Sequence, residues 1–237
     1  NPRAGQELHP MSNFTRIMNR ASRMGVRMAS TGFEKEAQFL TSTRIQRARL
    51  DWPAGDKPSA KSFPSIASID VAYKIQNAAI AGSQKDLGKV VGWKVGASNE
   101  KAINALQLKE PFRGPLFGNY VVSNKNAETP TSLHWDDLGS ALVAAELEFC
   151  FRLGKPLPAR STPYSEDEVW DAVSEVIPAI EIAATRAPAI VPLKPESINS
   201  AVADFALHGA LILGTPVKAS SVARQSLPGV AARLELV

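Results

Sequence analysis

Ala144-Ala-Glu146-Leu-Glu148-Phe-Cys150-Phe-Arg152-Leu153 alternates without a break. Glu146, Glu148, Cys150 and Arg152 fall on one side, and Leu147, Phe149, Phe151 and Leu153 on the other. A period of two with large apolar residues on one side is the pattern of a half-buried β-strand. Residues two apart on a strand point the same way, with Cα atoms about 6.5–7 Å apart. Two carboxylates so placed repel each other unless water or a cation lies between them. Hard cations such as Mg²⁺, Mn²⁺ or Ca²⁺ take oxygen ligands, and a convergent pair supplies them. Taken alone, the same pattern also describes a solvent-facing strand edge.

The segments around this strand mix both element types. Downstream, Ser165 and Glu168 form a capping box. The apolar spacing of Val169, Trp170, Val173, Val176 and Ile177 predicts a helix that Pro178 ends. Ala179 to Ala184 then reads as a short strand carrying Glu181 between Ile180 and Ile182. A carboxylate in such a run is either exposed by alternation or paired. Leu211 to Leu213 reads as the end of a further strand, stopped by Gly214. Upstream, Ile69 to Ala81 has helical spacing, and Lys89 to Val95 reads as a strand ending at Gly96. Ser98 is placed to cap a helix through Leu106, and Asn119 to Val122 is strand-like. Lys94 on the second of these segments is either an exposed strand residue or a cation held near a substrate carboxylate or developing enolate. The mixture predicts an α+β fold.

The charge divides the chain. Residues 1–62 hold 11 Lys/Arg against 5 Asp/Glu, and residues 63–237 hold 16 against 18. The pI near 9.2 therefore describes an N-terminal arm over 1–62, not the domain expected over 63–237. Arg16, Arg20, Arg23 and Arg27 recur on one helical face, in a stretch from Met11 to Gly32 with no acidic residue. That composition fits a mitochondrial transit peptide or a solvated basic tail, so the expected compartment is the mitochondrion, otherwise the cytoplasm. Nucleic-acid binding would rest on that stripe alone. The single cysteine excludes an internal disulfide and a cysteine-based zinc site. No stretch approaches the ~20 apolar residues that span a bilayer. Trp52 to Pro58 reads as a turn or linker.

An ordered set of motifs carries a family resemblance. Gly92-Trp-Lys-Val-Gly-Ala-Ser98, Leu106-Gln-Leu-Lys-Glu-Pro-Phe112 and Gly114-Pro-Leu-Phe117 precede Ala145-Glu-Leu-Glu-Phe149. Ile177-Pro-Ala-Ile-Glu-Ile182 with Arg186, then Ala203-Asp204 to Gly209 and Leu211-Ile-Leu-Gly214, follow it. The set resembles the 2-oxopent-4-enoate hydratase and 4-oxalocrotonate decarboxylase branch of the fumarylacetoacetate hydrolase superfamily. The resemblance implies a mixed β-roll with peripheral helices. It implies a Mg²⁺ or Mn²⁺ site at Glu146, Glu148 and Glu181, with Lys94 as the catalytic cation. It also implies contacts to a small 2-oxo acid from Leu116, Arg186, Asp204 and His208. The expected function is a metal-dependent hydratase or lyase working through a stabilised enolate.

Three departures qualify that expectation. Phe205 and His208 stand where the family carries Asn and small hydroxyl or thiol residues, and are expected to reshape or fill the pocket. Ala183-Ala-Thr185 replaces a segment that often holds Gly or Asp and then Ser. The family continues for tens of residues beyond the equivalent of Val237, so Ala231 to Val237 is expected as one strand of a roll lacking its C-terminal part. The alternative expectation is an inactive homologue recruited as a subunit of a larger mitochondrial assembly, membrane or ribosomal. Its protein partners would engage the basic arm and the open C-terminal edge.

Overall fold

The computed structural model describes residues 32–46, 50, 62–124, 130–133 and 141–234. The Arg16–Arg27 stripe and the Trp52–Pro58 turn lie outside them. The fold is α+β, as expected. Helices α1 (Glu34–Ile45) and α2 (Ile69–Leu87) precede strand β1 (Val90–Gly96), helix α3 (Glu100–Ala105) and strands β2 (Phe112–Phe117) and β3 (Val121–Ser123). Strand β4 (Ala141–Leu153), helix α4 (Glu166–Ala172), strand β5 (Val173–Thr185), helix α5 (Ile198–Ala203) and strands β6 (His208–Leu213) and β7 (Val217–Lys218) follow.

The main sheet runs β3-β6-β5-β4, with β7 paired to β5. The β3–β6 pair is parallel, and β4, β5 and β6 run antiparallel in turn. β1 and β2 form a separate antiparallel ribbon. One core joins α1, α2 and α5 to Phe63, Phe117 and the turn at 205–207. A second, smaller core of Leu116, Ile177, Ala179, Leu211 and Leu213 lies between the ribbon and the main sheet.

The segment after Ser165 differs from its reading. The capping box forms as expected, but α4 stops at Ala172. Val173, Val176 and Ile177 belong to β5 instead, which continues through Pro178 to Thr185. Apolar spacing over so few residues fits both periods, and β-branched side chains favour the pleated one. Pro178 survives inside the strand because of its register. Its carbonyl accepts from Gly214 N at 2.8 Å, one residue beyond the end of β6. The N–H that proline lacks would point the same way, past the last ladder partner.

Other boundaries also shift. Asn99, not Ser98, caps α3, its side chain accepting from Ala102 N. Residues 231–234 form no strand, and 235–237 lie outside the described residues. Leu147 and Phe149, on the apolar side of β4, stay 41% and 37% exposed because β4 ends the described sheet.

Helix α1, read as part of the arm, packs into the main core through Ala37 and Leu40. Its C-terminal end is held by a buried ion cluster. Arg186 pairs with both oxygens of Asp204, at 3.2 and 2.6 Å, and donates to Thr43 Oγ1 at 2.7 Å. Arg44 approaches Asp204 at 3.7 Å, donates to the His208 carbonyl, and lies over the Phe205 ring. Burial alone would raise the Asp204 pKa, but Arg186 and Arg44 together hold it below the ordinary aspartate value. Its contribution to stability is therefore present above the unfolded-state pKa and fades as the pH falls through the lowered one.

Removing Asp204 leaves a buried guanidinium uncompensated. Asp204→Ala is expected to cost about 3–5 kcal/mol at neutral pH. Urea unfolding of the variant beside the unchanged protein measures it.

Candidate metal centre

The site is built on the β4–β5 ladder. Alternation on β4 turns Glu146 and Glu148 to the same face. The antiparallel register sets Glu146 directly opposite Glu181, and Glu148 opposite Ala179. One carboxylate oxygen from each glutamate lies within 4.8 Å of the other two. Oxygens around one Mg²⁺ stand about 3–4 Å apart and around one Ca²⁺ about 3.4–4.8 Å, from their usual bond lengths. Three hard oxygen donors at this spacing fit a single divalent cation after small side-chain adjustment.

The carboxylates differ in environment. Glu146 and Glu148 are exposed, whereas Glu181 is 3% exposed. Burial pushes the Glu181 carboxyl up, with Lys94 opposing it and Glu146 adding to it. Burial and the charges of Glu181 and Glu146 push Glu148 up to about 6, again against Lys94. Without a cation the face thus carries an electrostatic load that a bound one would relieve.

Lys94 supplies the built-in counter-charge. β1 carries it over the sheet, and its Nζ sits 2.7 Å from Glu181 Oε1, an ion pair rather than a well-directed hydrogen bond. Nζ also donates to the Ala206 carbonyl at 2.9 Å. That carbonyl belongs to an unusual turn. Phe205, Ala206 and Leu207 have φ of 61°, 55° and 63°, all left-handed. Such a conformation costs an L-residue roughly 1–2 kcal/mol. Gly114, opposite Lys94 in the ribbon, gives the turn its space. A Cβ on Gly114 would lie 2.6 Å from the Phe205 carbonyl oxygen.

The remaining expected residues separate. Leu116 lines a cleft of about 1100 Å³ together with Lys94, Glu148 and Glu181. Arg186, Asp204 and His208 do not line it. The first two are the ion pair that holds α1. His208 is 1% exposed, and neither ring nitrogen has a hydrogen-bond partner among the described residues. Burial, then Arg44 and Lys94, lower its pKa to about 3, so it is neutral at physiological pH. Phe205 does not fill the cleft either: it is buried in the main core, edge-on to Phe117 at 5.0 Å. The Ala206 carbonyl is absent from the sequence reading because only its backbone acts. The nearest signal is Gly114, a glycine in an apolar strand.

No family model matches the chain. Similarity appears among solved structures. 4-Oxalocrotonate decarboxylase from Pseudomonas putida G7, complexed with magnesium and adipate, superposes with a TM-score of 0.61 over 83% of this chain and 67% of that one, at 18% identity. The same enzyme complexed with calcium and acetate gives 0.60 over 83% and 68%, at 19% identity. The chain has the fumarylacetoacetate-hydrolase-like fold. At such identity the likeness speaks for the fold alone. Within the fumarylacetoacetate-hydrolase-like fold, Glu146, Glu148, Glu181 and Lys94 occupy one cluster of this chain's own making.

The raised pKa of Glu148 sets a pH window. In metal-free protein its proton is held more tightly in the folded state, so ionising it between about pH 4.5 and 6 lowers stability. A cation competes with that proton. Millimolar Mg²⁺ is expected to raise Tm at pH 7.5 and much less at pH 5, and Glu148→Gln to remove the difference. Thermal scans at both pH values with and without Mg²⁺ measure it.

Proposed function

We propose that the protein is a metal-dependent lyase or hydratase acting on a small 2-oxo acid. The observation that carries this reading is the convergence of Glu146, Glu148 and Glu181, with Glu148, Glu181 and Lys94 lining one cleft. Glu146, Glu148 and Glu181 would hold Mg²⁺ or Mn²⁺. A hard divalent cation there supplies Lewis acidity toward the carboxylate and 2-oxo oxygens of the substrate.

The chain's own residues supply the rest. Glu181 is pre-positioned by burial and by its ion pair with Lys94. Lys94 is fixed by two acceptors, Glu181 and the Ala206 carbonyl, which hold its ammonium group in place. From there it neutralises negative charge that develops on the substrate or passes a proton to it. The apolar walls of Leu116, Ile177 and Leu211 limit water around the reacting carbons. The solved neighbours support the reading in kind, since they carry a divalent cation together with a carboxylate compound.

The test is turnover of small 2-oxo acids, followed by loss of substrate and by release of CO₂. Activity is expected to need Mg²⁺ or Mn²⁺ and to vanish with EDTA. Lys94→Ala is expected to lower kcat about 10²-fold or more, while the variant still binds Mg²⁺ by calorimetry. A protein that binds neither cation and turns over no 2-oxo acid would sink the reading.

A further inference from the structure

Strand β4 has one neighbour. β5 covers one of its edges, and the other edge is unpaired among the described residues. The register with β5 is regular from Ala144 to Arg152, with irregularities only at either end. That stretch holds no proline and no lysine, the usual devices that blunt a free edge. Leu147 and Phe149 stay 41% and 37% exposed on its apolar side. Every residue from Glu148 to Leu153 lines the cleft, although successive side chains alternate between faces. The cleft therefore runs along the backbone edge of β4. Unpaired N–H and C=O groups there are a template for another strand.

The charges on β4 select which strand fits. Its polar side reads Glu146, Glu148, Cys150, Arg152, negative at one end and positive at the other. An antiparallel copy sets the positive end of each strand against the negative end of the other. Directly opposite residues in an antiparallel pair point to the same face, so two identical strands related by a twofold axis pair about a residue, not between two.

Few registers remain. Pairing about Leu147 sets Glu146 against Glu148, and pairing about Glu148 sets that residue against itself. Pairing about Phe149 leaves the two Glu148 residues diagonal neighbours, about 7–8 Å apart. Pairing about Phe151 sets Glu148 against Gly154, past the end of the strand. Pairing about Cys150 sets Glu148 against Arg152 twice and brings Glu146 diagonal to the same guanidinium. It keeps each glutamate away from those of the other copy. On the other face it lays the exposed Phe149 beside Phe151 and the exposed Leu147 beside Leu153.

We propose that β4 pairs with β4 of a second copy of this chain, antiparallel and centred on Cys150. Each cleft then gains Arg152 of the second copy opposite Glu148. Arg152 already meets Glu175 across the β4–β5 ladder, so negative and positive charge alternate across three strands. The inference goes beyond the metal reading and does not depend on it.

The tests use the full chain in EDTA. In reducing buffer at about 50 µM, sedimentation is expected to give a mass near twice 25.4 kDa. Cys150 would stand opposite its counterpart at a Cα spacing of about 4.5–5.5 Å, which a disulfide spans. Oxidation by copper-phenanthroline is expected to convert most of the protein to a covalent dimer, and Cys150→Ser to give none.

Arg152→Glu and Glu148→Arg are each expected to weaken dimerisation at least tenfold. An equimolar mixture of the two is expected to restore it, because a glutamate then meets an arginine at both contacts. Thermal scans check that each variant folds. Phe149→Lys, changed on the exposed apolar side, is expected to weaken the dimer as much without touching the glutamate face. A monomer at that concentration overturns the proposal. So does a dimer that neither cross-links through Cys150 nor responds to the charge exchange, since the copies would then meet elsewhere.

Discussion

Like charges set opposite each other on neighbouring strands repel, and the β4–β5 ladder sets Glu146 against Glu181 with Glu148 close by. The surrounding structure is arranged around that repulsion. The Lys94 ammonium meets Glu181 from the β1–β2 ribbon, and the Ala206 carbonyl holds Lys94 from the other side. The residual load appears as the raised pKa of Glu148. Three carboxylates and one ammonium group leave net negative charge where Glu148, Glu181 and Lys94 line the cleft, which is the electrostatic requirement of a divalent-cation site.

Holding Lys94 in place draws on backbone that no local preference favours. Three successive left-handed residues at 205–207 persist because packing on both sides leaves them no alternative. Phe205 is locked against Phe117 and under Arg44, and Gly114 admits the turn against β2. The Arg186–Asp204 pair anchors the residue just before the turn and ties it to α1. The ion cluster and the candidate metal centre are thus mechanically connected, although they share no residue. Strain at such a position is the usual mark of a site whose geometry is held by the rest of the fold.

Legibility followed the range of the interaction. The β4 strand, its two glutamates on one face and the α4 capping box could all be read from neighbours a few residues apart. Glu181 could be read as a carboxylate needing a reason, and the motif order supplied the fold. The helix expected through Ile177 was misread because apolar spacing over nine residues serves either period, and the choice was made by pairing with β4. Phe205, expected in the pocket, turned inward because the left-handed turn redirects its side chain. Arg186 and Asp204 chose each other over the cleft because a buried guanidinium needs a carboxylate.

By itself the sequence determined that a strand runs through Glu146 and Glu148 and that both carboxylates share a face, because side-chain direction on a strand has a strict period of two. It also determined the class of fold and the residue types available for a hard cation. Only the tertiary structure decided that Glu181 stands opposite Glu146, that Lys94 reaches it, and that Ala206 holds Lys94. Register and close approach depend on packing between segments up to 112 residues apart, as the Lys94–Ala206 contact is, and no local pattern encodes them.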